Sequence, residues 1–486
     1  MSAPEPYWAD PDVTLYLGKC ETVLPGLPAN SVDAIVTDPP AGASFMNKTW
    51  DSDRGGRDQW VAWLTGCMAE ALRVLKPGGH ALVWALPRTS GWTQWALEDA
   101  GFEIRDCISH LFGQGYPKGL DVGKAIDKAA GAQREVIGHT SAGQSSLERV
   151  RRVEQGYRGK LTACTPEVIP ITAPATADAA RWDGWGTALK PGQEMWWLAR
   201  KPLRGTVAAN VLEYGTGALN IAACRVGTTK DVPASPKVQR DNPVYSGIGS
   251  LPGRTTDLGF DANTGRWPTN ILLTHSAACQ VIGTRHLPGD SRSGQESGDR
   301  PGGFGDVGAD SGSERPNGPL YGAQVVEVYS CAPDCPVGEL DRQSGVSTSP
   351  SGVVTGGRNA GGIVGTVVAG ARRESMSGHG DSGGASRFYP TFRYQAKAPQ
   401  HERPRLADGT AWPTVKPVDL VRWLVRLITP PGGTVLDCFA GTGVTAEACI
   451  VEGFRSVLIE QDPVAAELIR TRLRKDIQPD MFGGAA

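Results

Sequence analysis

An aspartate tied to two prolines, Asp38-Pro39-Pro40, closes the apolar run Val32-Asp33-Ala34-Ile35-Val36-Thr37. Proline fixes its own φ, lacks an N–H and restricts the residue before it. The tripeptide therefore offers the Asp38 carboxylate and a Pro39 carbonyl from a stiff piece of chain, two acceptors suited to both N–H bonds of one amino group. An amine attached to an aromatic ring is a poor nucleophile because its lone pair is delocalised. Fixed acceptors that draw on its hydrogens push the nitrogen towards tetrahedral geometry and free that pair, a gain of positioning and electrostatics rather than of proton abstraction. Towards the other end of the chain, Phe439-Ala440-Gly441-Thr442-Gly443 follows Thr434-Val435-Leu436-Asp437-Cys438. Glycines after a strand allow a tight turn and close approach of backbone to ligand, and a helix beginning there presents free N–H groups and partial positive charge to an anionic group. Glu460 ends the next apolar run, where an acid can accept ribose hydroxyls. A Gly-x-Gly after a strand also serves as a plain turn. Ala446, at the third glycine's place, keeps a dinucleotide site open as another reading.

The elements that must position these residues alternate. Val13–Leu17 reads as a strand, as does 32–37. Trp60 to Leu75 has helical apolar spacing, and Lys76-Pro77-Gly78-Gly79 is expected to end that helix before a strand over 81–86. A helix near 92–99 leads to a strand from Phe102. Pro417 stands at a first helical position, followed by the apolar stripe Leu420, Val421, Leu424, Val425, Leu427 and Ile428. Pro430-Pro431-Gly432-Gly433 stops it, and a strand (434–438), a helix (446–452) and a strand (455–460) follow. This alternation predicts a doubly wound α/β sheet assembled from both ends of the chain. A long insertion between the halves adds little loop-closure cost. Residues 240–320 and 344–386, rich in Gly, Ser, Asn and Asp, are expected to be largely loop.

Bulk properties narrow the class. The chain has 486 residues, more than one ordinary domain, with 63 Gly and 36 Pro unevenly spread. A net charge of −2 excludes a polycation, so any nucleic-acid contact has to come from a local basic face. The ten cysteines are too irregularly spaced in too long a chain for a small secreted disulfide framework. No basic-then-apolar leader opens the sequence and no apolar run reaches about 18 residues, so a soluble cytoplasmic protein without a membrane span is expected. His275-x3-Cys279 and Cys331-x3-Cys335 form two pairs of soft ligands whose grouping suits a closed tetrahedral zinc site, with free intracellular thiols as the alternative.

Taken together, these motifs resemble the amino-group DNA methyltransferases (N4-cytosine/N6-adenine) of the permuted class, in which the catalytic motif precedes the donor motif, and among them the phage-type DNA methylases. Besides Asp38-Pro39-Pro40 and Phe439–Gly443, the resemblance rests on Pro413-Thr414-Val415-Lys416-Pro417 and Leu111-Phe112-Gly113-Gln114-Gly115-Tyr116-Pro117-Lys118. Trp182–Pro191 and Trp196–Pro202 also contribute. It covers residues 13–130, 180–225 and 387–465.

The resemblance implies an α/β Rossmann-like, S-adenosylmethionine-dependent methyltransferase sheet with a long irregular insertion. Residues 1–130 would form its N-terminal half, 131–386 a target-recognition insertion, 387–475 the C-terminal half and 476–486 a tail. It implies site-specific methyl transfer to an exocyclic amine of a base flipped out of double-stranded DNA, in a restriction–modification or phage setting within the host cytoplasm. Aspartate at the first motif position leans towards adenine N6 over cytosine N4. The implied catalytic residues are Asp38, Pro39 and Pro40. Asp437, Phe439, Ala440, Gly441, Thr442, Gly443, Glu460 and Lys416 would hold the donor. Ala41, Phe45, Tyr116 and Lys118 would meet the base and its phosphate.

Three positions depart from the family pattern. Ala41 replaces a stacking aromatic, which leaves Phe45 or Trp50 as substitutes. Lys19 stands where an acid often contacts the donor's adenine, and Trp412 where histidine is frequent. Two rival readings follow: a DNA-binding protein of the same fold that has lost activity, and a methyltransferase acting on RNA or a protein amide.

Overall fold

A computed structural model describes residues 4–43, 49–113, 119–140, 169–226, 266–276, 278–287, 324–349, 351–354, 376–379, 381–392, 404–405, 412 and 415–474. Numbered along the chain, its strands are β1 (Trp8–Ala9), β2 (Val13–Leu17), β3 (Val32–Thr37), β4 (Leu75–Ala85), β5 (Glu103–Leu111), β6 (Val136–Thr140), β7 (Ile169–Thr172), β8 (Gln193–Arg200) and β9 (Ile271–Thr274). They continue with β10 (Gln280–Leu287), β11 (Gln324–Ser330), β12 (Ser347–Thr348), β13 (Ser351–Val354), β14 (Met376–His379), β15 (Ser382–Gly383), β16 (Thr391–Phe392), β17 (Thr434–Asp437) and β18 (Arg455–Glu460).

Residues 1–113 and 193–486 make one compact unit and 114–192 another. In the larger unit ten strands share one sheet, in the order β1-β2-β18-β17-β3-β4-β8-β5-β9-β16. The chain ends meet at its centre: β17 runs parallel to β3, with Val435 opposite Ala34 and Leu436 opposite Ile35, and parallel to β18 on its other side. β8 is antiparallel to β4 and β5, and β1 to β2; every other pairing in this sheet is parallel. The carboxyl ends of β3, β5, β9, β17 and β18 therefore lie along one edge. The stretch 131–386 contributes β8 and β9 to this sheet.

Burial on both faces explains why β3 reads as an almost unbroken apolar run: all six residues are buried. Its exception, Asp33, is paired. Its carboxylate accepts from the Lys76 ammonium at 2.6 Å and from the Thr434 N–H at 2.8 Å, tying β3 to β4 and β17. The strand's alternation sends Ile35 to one core and Ala34 and Val36 to another. The first core takes Trp60, Leu64, Met68 and Ala71 of the helix Arg57–Val74 and Ala96 and Leu97 of the helix Ser90–Asp99. The second takes the stripe Leu420, Val421, Leu424, Val425, Leu427 and Ile428 of the helix Val418–Ile428. Each buried leucine, valine, isoleucine or methionine among them contributes about 1.5–3 kcal/mol relative to exposure, which fixes these helices on the sheet.

The sequence expectation fails at Lys76-Pro77-Gly78-Gly79. The helix ends at Val74 and β4 already begins at Leu75, running through the tetrapeptide. The extra residues are absorbed by an irregular register, Val32 opposite Leu75 and Ala34 opposite His80. Gly78 has φ +75°, and a Cβ there would lie 2.3 Å from Nδ2 of buried Asn210, which donates to the Pro77 carbonyl at 2.9 Å. The glycine serves side-chain packing inside a strand, not only a turn. Much of the two Gly/Ser-rich stretches, and the tail 476–486, lie outside the described residues.

The smaller unit has a two-stranded sheet of β6 and β7 and the helices Val122–Ala129 and Ala177–Arg181. Buried Asp127 is its hub. It accepts from Arg134 at 2.7 Å, from the Ala175 and Thr176 N–H groups at 3.0 Å each and from the Thr176 hydroxyl at 2.8 Å. No described helix in the chain is long and apolar enough to cross a membrane.

Candidate active site

Two motifs from opposite ends of the sequence are joined by one hydrogen bond. The Thr37 hydroxyl, last residue of β3, donates to Asp437 Oδ1 at 2.7 Å. Oδ1 also accepts from the Phe439 N–H at 3.1 Å, and Oδ2 from the Thr445 hydroxyl at 2.6 Å. Asp437 thus holds the turn after β17 in shape and anchors it to the strand that delivers Asp38. Burial pushes its carboxyl up to about 6, against those three hydrogen bonds.

The turn itself is open where a ligand would approach. Gly441 has φ +55°, and no heavy atom lies within 4 Å of where its Cβ would stand. Gly443, φ +78°, caps the helix Val444–Glu452, and a Cβ there would press on Ile469 at 3.0 Å. Glu460 at the end of β18 accepts from the Gly441 N–H at 2.7 Å and the Asp462 N–H at 2.8 Å, one per oxygen. A carboxylate oxygen has two lone-pair sites, so both retain capacity for a further donor. Burial raises the Glu460 carboxyl to about 7. Ala440 and Thr442 are buried, and the Phe439 ring lies 5.7 Å from that of Trp63.

Asp38 stands beside this turn on the same edge, its side chain about a third exposed (35%). Lys416, just before the helix Val418–Ile428, places its ammonium 3.2 Å from Asp38 Oδ2 and 3.4 Å from Glu194 Oε2. That ammonium also sits 3.8 Å from the centre of the Trp84 ring, whose Nε1 donates to Glu194 at 3.0 Å. Desolvation raises the Asp38 carboxyl above its ordinary range, partly offset by Lys416. Burial also works to raise Glu194, but Lys416 and its other partners leave it lowered. Lys416 is raised: the two carboxylates outweigh the burial that opposes its charge. The result is one ammonium shared by two carboxylates, which lowers Glu194 and offsets part of the desolvation that raises Asp38.

Downstream of Asp38 the backbone is pinned. Pro39 is buried and Pro40 half-buried. The Ala41 carbonyl accepts from the Thr89 hydroxyl at 2.9 Å, and the Gly42 N–H donates to buried Asp51 at 3.1 Å. Gly42 has φ +65°, and a Cβ there would lie 2.9 Å from the Trp60 indole. Phe45, Tyr116 and Lys118 lie outside the described residues; Trp50 is exposed. Lys19 is exposed and precedes the short helix Cys20–Val23, and the Trp412 N–H donates to the Pro404 carbonyl. Elsewhere on the same edge, His275, Cys279, Cys331 and Cys335 come together, with one ligand atom of each within 4.8 Å of the others.

Sequence reasoning passed over Thr37, Trp84 and Glu194. The available signal was alternation: Glu194 shares a strand face with Trp196 and Leu198, so a charge among large apolar side chains there required a partner.

Residues 371–471 match the family model described as DNA methylase, of the N6/N4 type. This stretch contains Lys416, the 437–443 turn and Glu460. The type II methyltransferase M.BamHI of Bacillus amyloliquefaciens is 30% identical over 97 residues, 19% of this chain. The match spans 22% of that relative's length. Among solved structures, PvuII DNA methyltransferase, described as cytosine-N4-specific, aligns over 99% of this chain and 93% of its own at 11% identity and a TM-score of 0.37. M1.HpyAVI aligns over 95% and 98% at 10% identity and a TM-score of 0.33. The α/β assignment rests on the chain's own sheet order. Within residues 371–471 the chain is similar to the DNA methylases.

Proposed function

We propose that this chain is an S-adenosylmethionine-dependent DNA methyltransferase acting on an exocyclic amine, with adenine N6 favoured over cytosine N4. The observation that carries the reading is the Thr37–Asp437 hydrogen bond of 2.7 Å, which sets an amine-gripping tripeptide beside an open glycine turn. The turn fits the donor. Gly441 leaves free space for a ligand, and the helix beginning at Val444 turns its N-terminus towards that space. Glu460 keeps lone pairs for ribose hydroxyls. When bound, S-adenosylmethionine supplies an electrophilic methyl group.

The chain's own residues do the rest. Asp38 accepts one N–H of the target amine and the Pro39 carbonyl the other, so the nitrogen lone pair is directed at the methyl carbon. Lys416 holds Asp38 ionised and oriented, and Glu194 with Trp84 holds Lys416. The nitrogen gains the methyl as the methyl–sulfur bond breaks and that bond's electron pair stays on sulfur as a neutral thioether. The nitrogen then sheds one proton, for which Asp38 is the adjacent acceptor. The adenine preference rests on aspartate at the head of the motif. The double-stranded form of the substrate is the expectation from the family resemblance.

The test is transfer of labelled methyl from S-adenosylmethionine to unmethylated duplex DNA of mixed sequence, followed by nucleoside analysis. Label on adenine N6 that vanishes in Asp38→Ala supports the proposal. Label on cytosine N4 keeps the reaction class and reverses the base. DNA binding without incorporation, with donor binding intact, overturns the enzyme in favour of an inactive reader.

A further inference from the structure

We infer that His275, Cys279, Cys331 and Cys335 bind one structural zinc ion, which roots the hairpin β10–β11 on the same sheet edge that carries Asp38 and Gly441. The four residues come as two pairs from segments far apart in the sequence. His275 and Cys279 follow β9, Cys331 follows β11, and Cys335 is the N-cap of the helix Pro336–Ser344. Spacing brings the members of each pair together, and the fold brings the two pairs together.

Two distances from His275 fit a tetrahedral site. His275 Nδ1 lies 3.4 Å from Cys331 Sγ and 3.6 Å from Cys335 Sγ. With Zn–S near 2.3 Å and Zn–N near 2.0–2.1 Å, tetrahedral angles put nitrogen and sulfur about 3.6 Å apart. All three cysteines are free thiols rather than members of a disulfide. Three cysteines and one histidine form a closed donor set with no position left for water, as structural zinc sites have.

The surroundings suit thiolates. The Ala332 N–H points at Cys279 Sγ at 3.3 Å, and the Ser276 N–H at Cys335 Sγ at 3.4 Å. Backbone donors of this kind orient sulfur ligands and spread their charge. Cys335 also sits at the positive end of a nine-residue helix. The His275 ring is held in orientation by stacking on Tyr329, centroids 4.1 Å apart.

The local apolar core alone is thin. Its buried members are Leu273, Cys335 and Val337. A pair of strands is marginal in water without further support, and among the described residues β10 and β11 pair only with each other. Metal binding would supply the missing stability, because ligands scattered in the unfolded chain are gathered only in the folded one. The location gives the site its purpose. β9 is parallel to β5, and through the sheet to β3, so its carboxyl end is on the edge where Asp38 stands. Four strand spacings separate β9 from β3, roughly 19 Å at about 4.8 Å per step. The paired strands β10 and β11, rooted there, lie on the edge that carries the proposed reaction site.

Metal analysis of the full-length protein, purified without chelator, tests the inference. About one zinc per chain is expected, as in a Cys3His site. It should be lost in Cys279→Ser and in Cys335→Ser and kept in Cys107→Ser, a cysteine outside the cluster. Substoichiometric zinc, or zinc unchanged in both cluster variants, overturns it. Should the variants fail to fold, cobalt exchanged into the wild-type protein decides. The intense visible absorption of tetrahedral thiolate-bound cobalt(II) supports the site, and the weak spectrum of octahedral cobalt sinks it. Donor affinity measured on the same samples keeps this outcome separate from that of the proposed methyl transfer.

Discussion

At the scale of single residues, the proposed reaction depends on Asp38 carrying charge in a place that disfavours it. Burial raises its carboxyl and Lys416 opposes that rise. A protonated carboxyl has lost acceptor capacity, so transfer should be present above the Asp38 pKa and fall as pH drops through it. Lys416→Met removes the nearest stabilising charge, so the acid limb of the kcat/KM profile should move to higher pH. A limb that stays in place, or moves down, would show that Lys416 does not act on Asp38. Asp38→Asn, which keeps shape and loses charge, should lower kcat by about 10²–10³-fold, the range for removing one well-placed electrostatic group. Glu460 makes a separate prediction for donor binding. Its carboxyl sits at about 7 in the free protein, raised by burial, and only the ionised form accepts two hydroxyls without competing as a donor. Donor affinity should therefore be constant above that value and weaken by up to about tenfold per pH unit below it. Calorimetric titration on either side of neutrality checks this. Glu460→Gln should bind more weakly and show a flatter pH dependence.

At the scale of elements, what was legible in the sequence was whatever depends on local periodicity. β2 falls on the expected residues through its alternation, and β3 and β18 because a strand buried in a parallel sheet reads as a short apolar run. The helix Val418–Ile428 was legible through its stripe, although Pro417 proves to be the cap and not the first helical residue. Lys76-Pro77-Gly78-Gly79 misled because its composition signals a turn, whereas a tertiary contact, Asn210 against Pro77, holds that backbone in β4. The partnership of Asp38 with Lys416 and Glu194 was illegible for the same kind of reason. It exists only once β8 is inserted antiparallel between β4 and β5, and nothing in local spacing announces that insertion. Gly42 tests how far the catalytic turn depends on such contacts. Its φ of +65° and the 2.9 Å approach of Trp60 leave no comfortable place for a methyl group. Gly42→Ala should cost about 1–3 kcal/mol in denaturant unfolding, the range for a strained left-handed residue. It should reduce methyl transfer more than donor binding, because the glycine turn at 437–443 lies on other strands.

At the scale of the whole molecule, the division into two units separates what is proposed to hold the donor from two of the four residues expected to meet the base. Every described residue of the donor turn belongs to the unit formed by residues 1–113 and 193–486. Tyr116 and Lys118, proposed for the base and its phosphate, belong by sequence to the unit 114–192. That unit leaves the sheet after β5 and returns at β8, and these strands are antiparallel neighbours with Leu111 directly opposite Gln193. The chain therefore exits and re-enters at adjacent points, and a two-residue Asn-Gly hairpin turn can bridge them. A variant in which such a turn replaces residues 112–192 should fold as one cooperative unit and bind S-adenosylmethionine within a few-fold of the intact protein. The same variant should transfer no methyl to DNA, since the proposed base-holding loop is gone. Thermal unfolding, donor titration and the labelled-methyl assay on one preparation decide the matter. Loss of donor binding in a folded variant would place part of the donor site in the deleted segment. Retained transfer would show that 112–192 is dispensable for holding the base.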